Sequence, residues 1–217
     1  MRSDAQLQQN VIDELRWDPA LRDEEIGVAV KDGVVTLTGC VSSYGDKYSA
    51  ERAAERISGV NAVADDLVVV DTDSSRRTDT DIAHAVAISL MLNVQVPTSI
   101  KATVTAGWVT LSGSTAWHYQ RNAAAQALRY LGGVRGVTNA ITVMPAIASP
   151  TDVSQRIERA LRRSAELDSK NVVVQAHDGL VTLRGTVRSW AERVDAERAA
   201  WSAPGVREVV DKLAVTL

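Results

Sequence analysis

The sequence predicts an α+β protein of three tandem α-β-β-α-β domains, each a three-stranded mixed sheet with two helices on one face. The prediction begins with a repeat. Residues 33–39 read GVVTLTG, residues 107–113 read GWVTLSG and residues 179–185 read GLVTLRG, so the first glycines stand 74 and 72 positions apart. A Gly-Val pair then follows each second glycine at the same interval of 20 positions, at Gly59, Gly133 and Gly205. Upstream, Leu7/Val11/Leu15, Ile82/Val86/Leu90 and Val153/Ile157/Leu161 occupy matching places, and their spacing of four sets each trio on one face of a helix. Such a period identifies tandem units, here 1–71, 79–144 and 150–217.

Each element follows from its own pattern. The first helix is expected to stop near Trp17-Asp18-Pro19 in copy one and between Asn93 and Pro97 in copy two, because proline cannot continue a helix. Alternation at Ile26/Val28/Val30, Ile100/Ala102/Val104 and Val172/Val174/Ala176 marks a first strand. The turns Asp32-Gly33, Ala106-Gly107 and Asp178-Gly179 lead into the Val-Thr-Leu strand and make a hairpin. An alanine-rich second helix is expected over about 46–57, 120–131 and 191–203, ending at a glycine. A last strand holds Leu67-Val68-Val69, Ile141-Thr142-Val143 or Leu213-Ala214-Val215. A helical crossover makes the second and third strands parallel, and the hairpin makes the first two antiparallel. Val35/Leu37 and their counterparts then face the helices. Val34, Trp108 and Leu180 sit on the opposite face, where an apolar residue suggests contact with another domain.

Composition narrows the function. The 217 residues carry 24 bases and 27 acids, a net charge of −3, and the pI near 5.7 argues against nucleic acid as a partner. Cys40 is the single cysteine, so neither an intramolecular disulfide nor a cysteine zinc site is expected. There is no apolar run of transmembrane length and no signal-peptide core, which makes the chain as written cytoplasmic, or periplasmic had an export signal been removed. His84, His118 and His177 lack metal-ligand spacing, and no nucleophile elbow or phosphate loop is present; neither catalytic residues, metal nor cofactor are expected. Gly132-Gly133-Val134-Arg135-Gly136 follows a helix and reads as a helix stop. Cys40 aligns with Ser114 and Thr186, a place for a small side chain. The adjacent acids Glu24-Glu25 and Asp65-Asp66 read as solvated charges.

The pattern G-x-V-T-L-x-G, an alanine-rich helix, then G-V-x-x-V-x-[N/D]-x-[L/I] resembles the BON domain, named for bacterial OsmY and nodulation proteins. It occurs three times and covers nearly the whole chain. The resemblance implies a non-enzymatic bacterial module associated with phospholipid binding, transport, envelope maintenance and osmotic stress, and in some relatives with ion or small-ligand binding. An ion or small-ligand sensor and a protein-interaction scaffold therefore stand as alternatives to a lipid-surface protein, and oligomeric state is not specified.

Charge separates the copies. Residues 4–71 hold 6 bases and 14 acids, residues 79–149 hold 4 and 2, and residues 150–217 hold 11 and 10. An acidic first copy would be repelled by anionic lipid; the charge-poor second copy would not. A base recurs eight positions after the second glycine, as Lys47, Arg121 and Arg193, in the first turn of the second helix. Glu51 and Glu197, four residues on, can pair with two of them; copy two has Ala125, which leaves Arg121 without that partner. Arg121 stands beside Trp117, His118 and Tyr119, and aromatics with a cation suit headgroup contact. These four are the candidate lipid or ligand site; the competing reading buries Trp117 and Tyr119 against another copy and pairs Arg121 with an acid. Trp201, at a helix end, is left out. Arg156, Arg159, Arg162 and Arg163 form a basic stripe on copy three's first helix, interrupted by Glu158 and Glu166, and read as a solvated face.

Overall fold

A computed structural model describes residues 3–19, 21, 26–70, 77–144, 150–163 and 171–216. The Glu24-Glu25 pair, Glu166, and residues 71–76 and 145–149 lie outside the described residues, as does the side chain of Arg162.

The first repeat runs α1 (Asp4–Trp17), β1 (Ile26–Lys31), β2 (Val34–Val41), α2 (Tyr44–Glu55) and β3 (Ala62–Val69). Ser3 caps α1 in a capping box with Gln6, and Ser43 caps α2, each hydroxyl accepting an otherwise unpaired amide. That cap starts α2 two residues before the alanine-rich run suggested. β2 pairs antiparallel with β1 and parallel with β3, with Val35 opposite Val30 and Val63. Leu7, Val11 and Leu15 from α1 meet Val35 and Leu37 from β2, all 3% exposed or less. Each such side chain contributes about 1.5–3 kcal/mol through burial.

The third repeat repeats the plan as α5 (Pro150–Arg163), β9 (Val172–His177), β10 (Leu180–Val187), α6 (Trp190–Trp201) and β11 (Glu208–Val215). Its sheet order is β11-β10-β9, with the same parallel and antiparallel pairings. Val153, Ile157 and Leu161 pack over Val181 and Leu183.

The middle repeat departs in detail. Its elements are α3 (Asp79–Leu92), β4 (Lys101–Thr105), β5 (Trp108–Ser112), β6 (Ser114–Thr115), α4 (His118–Gln126), β7 (Gly136–Asn139) and β8 (Thr142–Val143). The expected second and third strands are thus each split in two, at Gly113 and at Ala140-Ile141. β5 pairs with β7 and β6 with β8, both parallel. The second helix stops at Gln126, five residues short of expectation, and residues 127–130 continue as turns.

The chain forms two compact units, one of residues 1–94, 102–111 and 124–139, the other of residues 95–101, 112–123 and 140–217. Within the first, the aspartate that opens a first helix holds the hairpin turn. Asp4 accepts from the amides of Asp32 and Gly33 at 2.9 and 3.3 Å, and Asp79 from those of Ala106 and Gly107 at 2.8 and 2.9 Å. Both turn residues have positive φ, 52° and 77° at Asp32-Gly33, which explains the glycine.

The second sheet face corrects an expectation. Val34, Trp108 and Leu180 are 40%, 48% and 38% exposed rather than buried. The Trp108 ring lies over Gly136 of its own sheet, and its Nε1 donates to Thr138 Oγ1 at 2.8 Å.

Candidate functional site

The four residues singled out at the start of α4 do not all face the same way. Trp117 and Tyr119 are exposed, with Trp117's amide donating to Gln120 Oε1 at 3.1 Å. His118 turns inward instead. Its ring stacks on Trp201 with centroids 3.9 Å apart and planes 12° from parallel, and its Nδ1 is buried without a hydrogen-bond partner. Burial, reinforced by the neighbouring Arg121 charge, lowers its pKa to about 4, so the ring is neutral near pH 7. Trp201, set aside in the sequence, is therefore the residue that His118 meets.

Arg121 is engaged, contrary to the sequence expectation. Its Nε donates to the Ile141 carbonyl at 3.1 Å. The recurring bases of the other copies also have longer-range partners. Lys47 Nζ donates to the Leu67 carbonyl at 2.6 Å and lies 3.4 Å from Asp65, while Arg193 Nε meets Asp211 Oδ2 at 2.5 Å. The recurring base thus ties the second helix to the last strand. Glu197 accepts from Trp201 Nε1 at 3.3 Å.

Aromatic contacts join successive repeats in the same register. Tyr44 stands five positions after Gly39 and Arg129 sixteen after Gly113; burial raises the Tyr44 pKa while the Arg129 charge opposes the rise. Arg129 also lies over the Tyr48 ring, 3.5 Å from its centroid. His118 and Trp201 hold the equivalent fifth and sixteenth positions of the next pair.

Sequence reasoning missed the surface that differs most between repeats. The first helix and the end of the second enclose a shallow groove. In the first repeat Asn10, Asp13, Glu14 and Trp17 face Arg56, Ile57 and Ser58, and Glu14 pairs with Arg56 at 3.0 Å. In the third repeat the corresponding lining is Arg156, Arg159, Ala160 and Arg163 against Ser202, Ala203 and Pro204. In the middle repeat the matching helix positions are Ala85, Ile88, Ser89 and Leu92, and Ser89 Oγ donates to the Ala127 carbonyl at 2.8 Å. Here apolar side chains face outward: Ile88, Met91, Leu92 and Val94 are 53%, 76%, 70% and 99% exposed, with Tyr130 at 75%. The sequence held a signal for this. From Ala85 to Val94 there is no charged residue, so the apolar character of α3 exceeds the single face that Ile82 and Val86 bury.

His84, His177 and Cys40 are exposed, and among the described residues no group of three potential ligands gathers to hold a metal. No described helix is long and apolar enough to cross a membrane.

Taken together, three copies of the α-β-β-α-β plan define a tandem-repeat α+β protein. The chain belongs to the BON domain family, whose profile matches residues 3–71, 78–145 and 149–216. The family is a non-enzymatic one. The chain is 29% identical over 124 residues to osmotically-inducible protein Y of Escherichia coli K12, covering 55% of this chain and 62% of that protein, so the matched region falls short of two thirds of the relative. Among solved structures it is similar to CdsD, a structural protein of the type III secretion system of Chlamydia trachomatis, at 17% identity, 96% of this chain, 91% of that one and a TM-score of 0.27. It is also similar to the periplasmic domain of the type III secretion inner membrane protein PrgH of S. typhimurium, at 15% identity, 89% and 95% coverage and a TM-score of 0.24. With TM-scores this low, the fold reading rests on the family match and the strand topology.

Proposed function

We propose that the protein binds phospholipid surfaces peripherally through the charge-free end of α3. The observation that carries this reading is the exposed set Ile88, Met91, Leu92 and Val94 in the repeat with fewest charges. Single exposed apolar residues are ordinary, but four within seven positions at a helix end form a patch that water does not favour. Lying in a lipid interface, such a helix gains apolar burial without spanning the bilayer. Trp117 and Tyr119 form a second proposed interfacial contact, since amphipathic rings settle at the headgroup level. Arg121, engaged by the Ile141 carbonyl, supports that contact as a positioning residue. The likeness to an osmotically-inducible protein supports a role at the bacterial envelope under osmotic stress.

Co-sedimentation with vesicles of phosphatidylcholine, and of phosphatidylcholine with phosphatidylglycerol, tests the reading. Binding that survives moderate salt is expected, because apolar contact is weakly screened. Absence of binding to both vesicle types would refute it and favour a soluble ligand or a protein partner.

A further inference from the structure

The contacts between successive repeats follow one rule: the start of a repeat's second helix seats the segment that ends the next repeat's second helix. Between the first and second repeats, Arg129 lies over Tyr48 at 3.5 Å, and the Tyr130 ring lies against Gly45, where a Cβ would meet its Cδ1 at 2.5 Å. Between the second and third, Trp201 stacks on His118. Counted from the second glycine of each hairpin motif, the seat begins at position five, with six and nine beside it in the first seam, and the inserted end holds positions sixteen and seventeen. In both seams the seat belongs to the earlier repeat and the end to the later one. The contact is therefore heterologous, of the kind that continues from unit to unit.

Among the described residues, such seams leave one seat and one end over. The seat is on the third repeat, where Trp190, Ala191 and Val194 hold positions five, six and nine; Ala191 is exposed and the other two are half-buried. Arg193 of the same helix lies 5.0 Å from the centroid of the Trp190 ring and is itself held by Asp211. The end is on the first repeat, where Glu55 and Arg56 hold positions sixteen and seventeen. Glu55 pairs with Arg52 and Arg56 with Glu14, and with the two arginines 41% and 56% exposed these pairs add little to stability and exchange readily. Each side chain has a parallel elsewhere in the chain. Glu197 accepts from the indole Nε1 of Trp201 at 3.3 Å, and Arg129 and Arg193 both lie over aromatic rings.

We propose that the Trp190 seat takes the Glu55-Arg56 end of a second copy of this chain, so that copies associate head to tail in the register that joins the repeats within one copy. The Glu55 carboxylate accepts from the indole N–H, and the Arg56 guanidinium packs against the seat. Charge favours this pairing of unlike ends. Residues 4–71 hold 14 acids to 6 bases and residues 150–217 hold 10 to 11, so two first repeats repel each other, whereas a first and a third do not. The proposal does not depend on the α3 membrane reading, because it uses different residues.

The test is sedimentation equilibrium of the full chain from about 1 μM to 1 mM, the span of weak association. The average mass of the parent should rise with concentration above that of one copy. Ala191→Arg sets a long side chain on the seat, and E55A/R56A strips the end; each should lower the association constant about tenfold or more, with the unfolding midpoint retained. An equimolar mixture of these two variants should form dimers, because one keeps an intact end and the other an intact seat. Met91→Ser/Leu92→Ser should associate as the parent does, so failure of the membrane reading and failure of this one are distinguishable. A parent that stays a single copy throughout, or whose association survives Ala191→Arg, would overturn the proposal. So would association that Ala191→Arg removes and E55A/R56A keeps, the mark of two-fold pairing through Trp190, or a mixture that stays monomeric.

Discussion

Replacing Met91 and Leu92 together by serine should remove most vesicle affinity while leaving the fold intact. These side chains are 76% and 70% exposed, so in water they contribute little to folding and the expected change in unfolding free energy is within about 0.5 kcal/mol. Fully burying such a side chain is worth roughly 1.5–3 kcal/mol, and the exposed fraction available for transfer to lipid reduces this to roughly 1–2 kcal/mol each. For two residues the loss is roughly 2–4 kcal/mol, or about 30- to 1,000-fold in the partition constant. Co-sedimentation over a range of phosphatidylcholine concentrations measures that ratio directly, and denaturant unfolding of the same samples checks the fold. A double variant that partitions within a factor of two or three of the parent, at unchanged stability, would refute the assignment of α3 to the interface.

Four further outcomes test the structural account. Asp79→Ala removes a carboxylate that accepts from the Ala106 and Gly107 amides, and should cost about 1–3 kcal/mol in denaturant unfolding. Asp211→Ala should be similarly costly, because it leaves Arg193 and the Leu213 amide without their partner; Asp211→Asn should cost less, since Asn139 already serves at the equivalent place in the middle repeat. Gly179→Ala places a Cβ 2.8 Å from the Gly205 carbonyl oxygen at a φ of +80°, and a lowered unfolding midpoint is expected. His118 has a folded pKa lowered to about 4 from the ordinary 6.5. Its contribution to stability is therefore complete above pH 6.5 and is lost as the pH falls from 6.5 towards 4, where the unfolded chain binds the extra proton. Thermal unfolding midpoints should fall more steeply across that window in the parent than in His118→Phe.

The fold was legible because its determinants are local and thrice repeated. The helix trios, the turn glycines and the alternating strands each point to one structure, and three copies in register exclude accidental matches. Helix starts were less legible: Ser43 and Ser189 begin α2 and α6 ahead of their alanine-rich runs, and that depends on a hydroxyl reaching an amide. The split strands of the middle repeat left no periodic signature. The candidate site was legible only in part. Sequence brought Trp117, His118, Tyr119 and Arg121 together by adjacency, but successive helical residues point in different directions, so His118 faces Trp201 while its neighbours remain exposed. The helix offers Arg121 no acid four residues on, and its acceptor is a backbone carbonyl 20 positions away, which no side-chain pattern marks. The exposed end of α3 was visible as a charge-free run, yet composition cannot say which of its faces the core takes.

The most direct measurement of the central claim is the depth of α3 in a bilayer. Met91→Cys in a Cys40→Ser background gives one spin-label site; position 40 is exposed, and serine stands at the equivalent Ser114. Power-saturation electron paramagnetic resonance with oxygen and a water-soluble nickel chelate would then compare free and vesicle-bound protein. The account predicts that binding raises oxygen accessibility and lowers nickel accessibility at position 91, with the label below the phosphate level. A bound protein whose label stays fully accessible to the nickel chelate would contradict it.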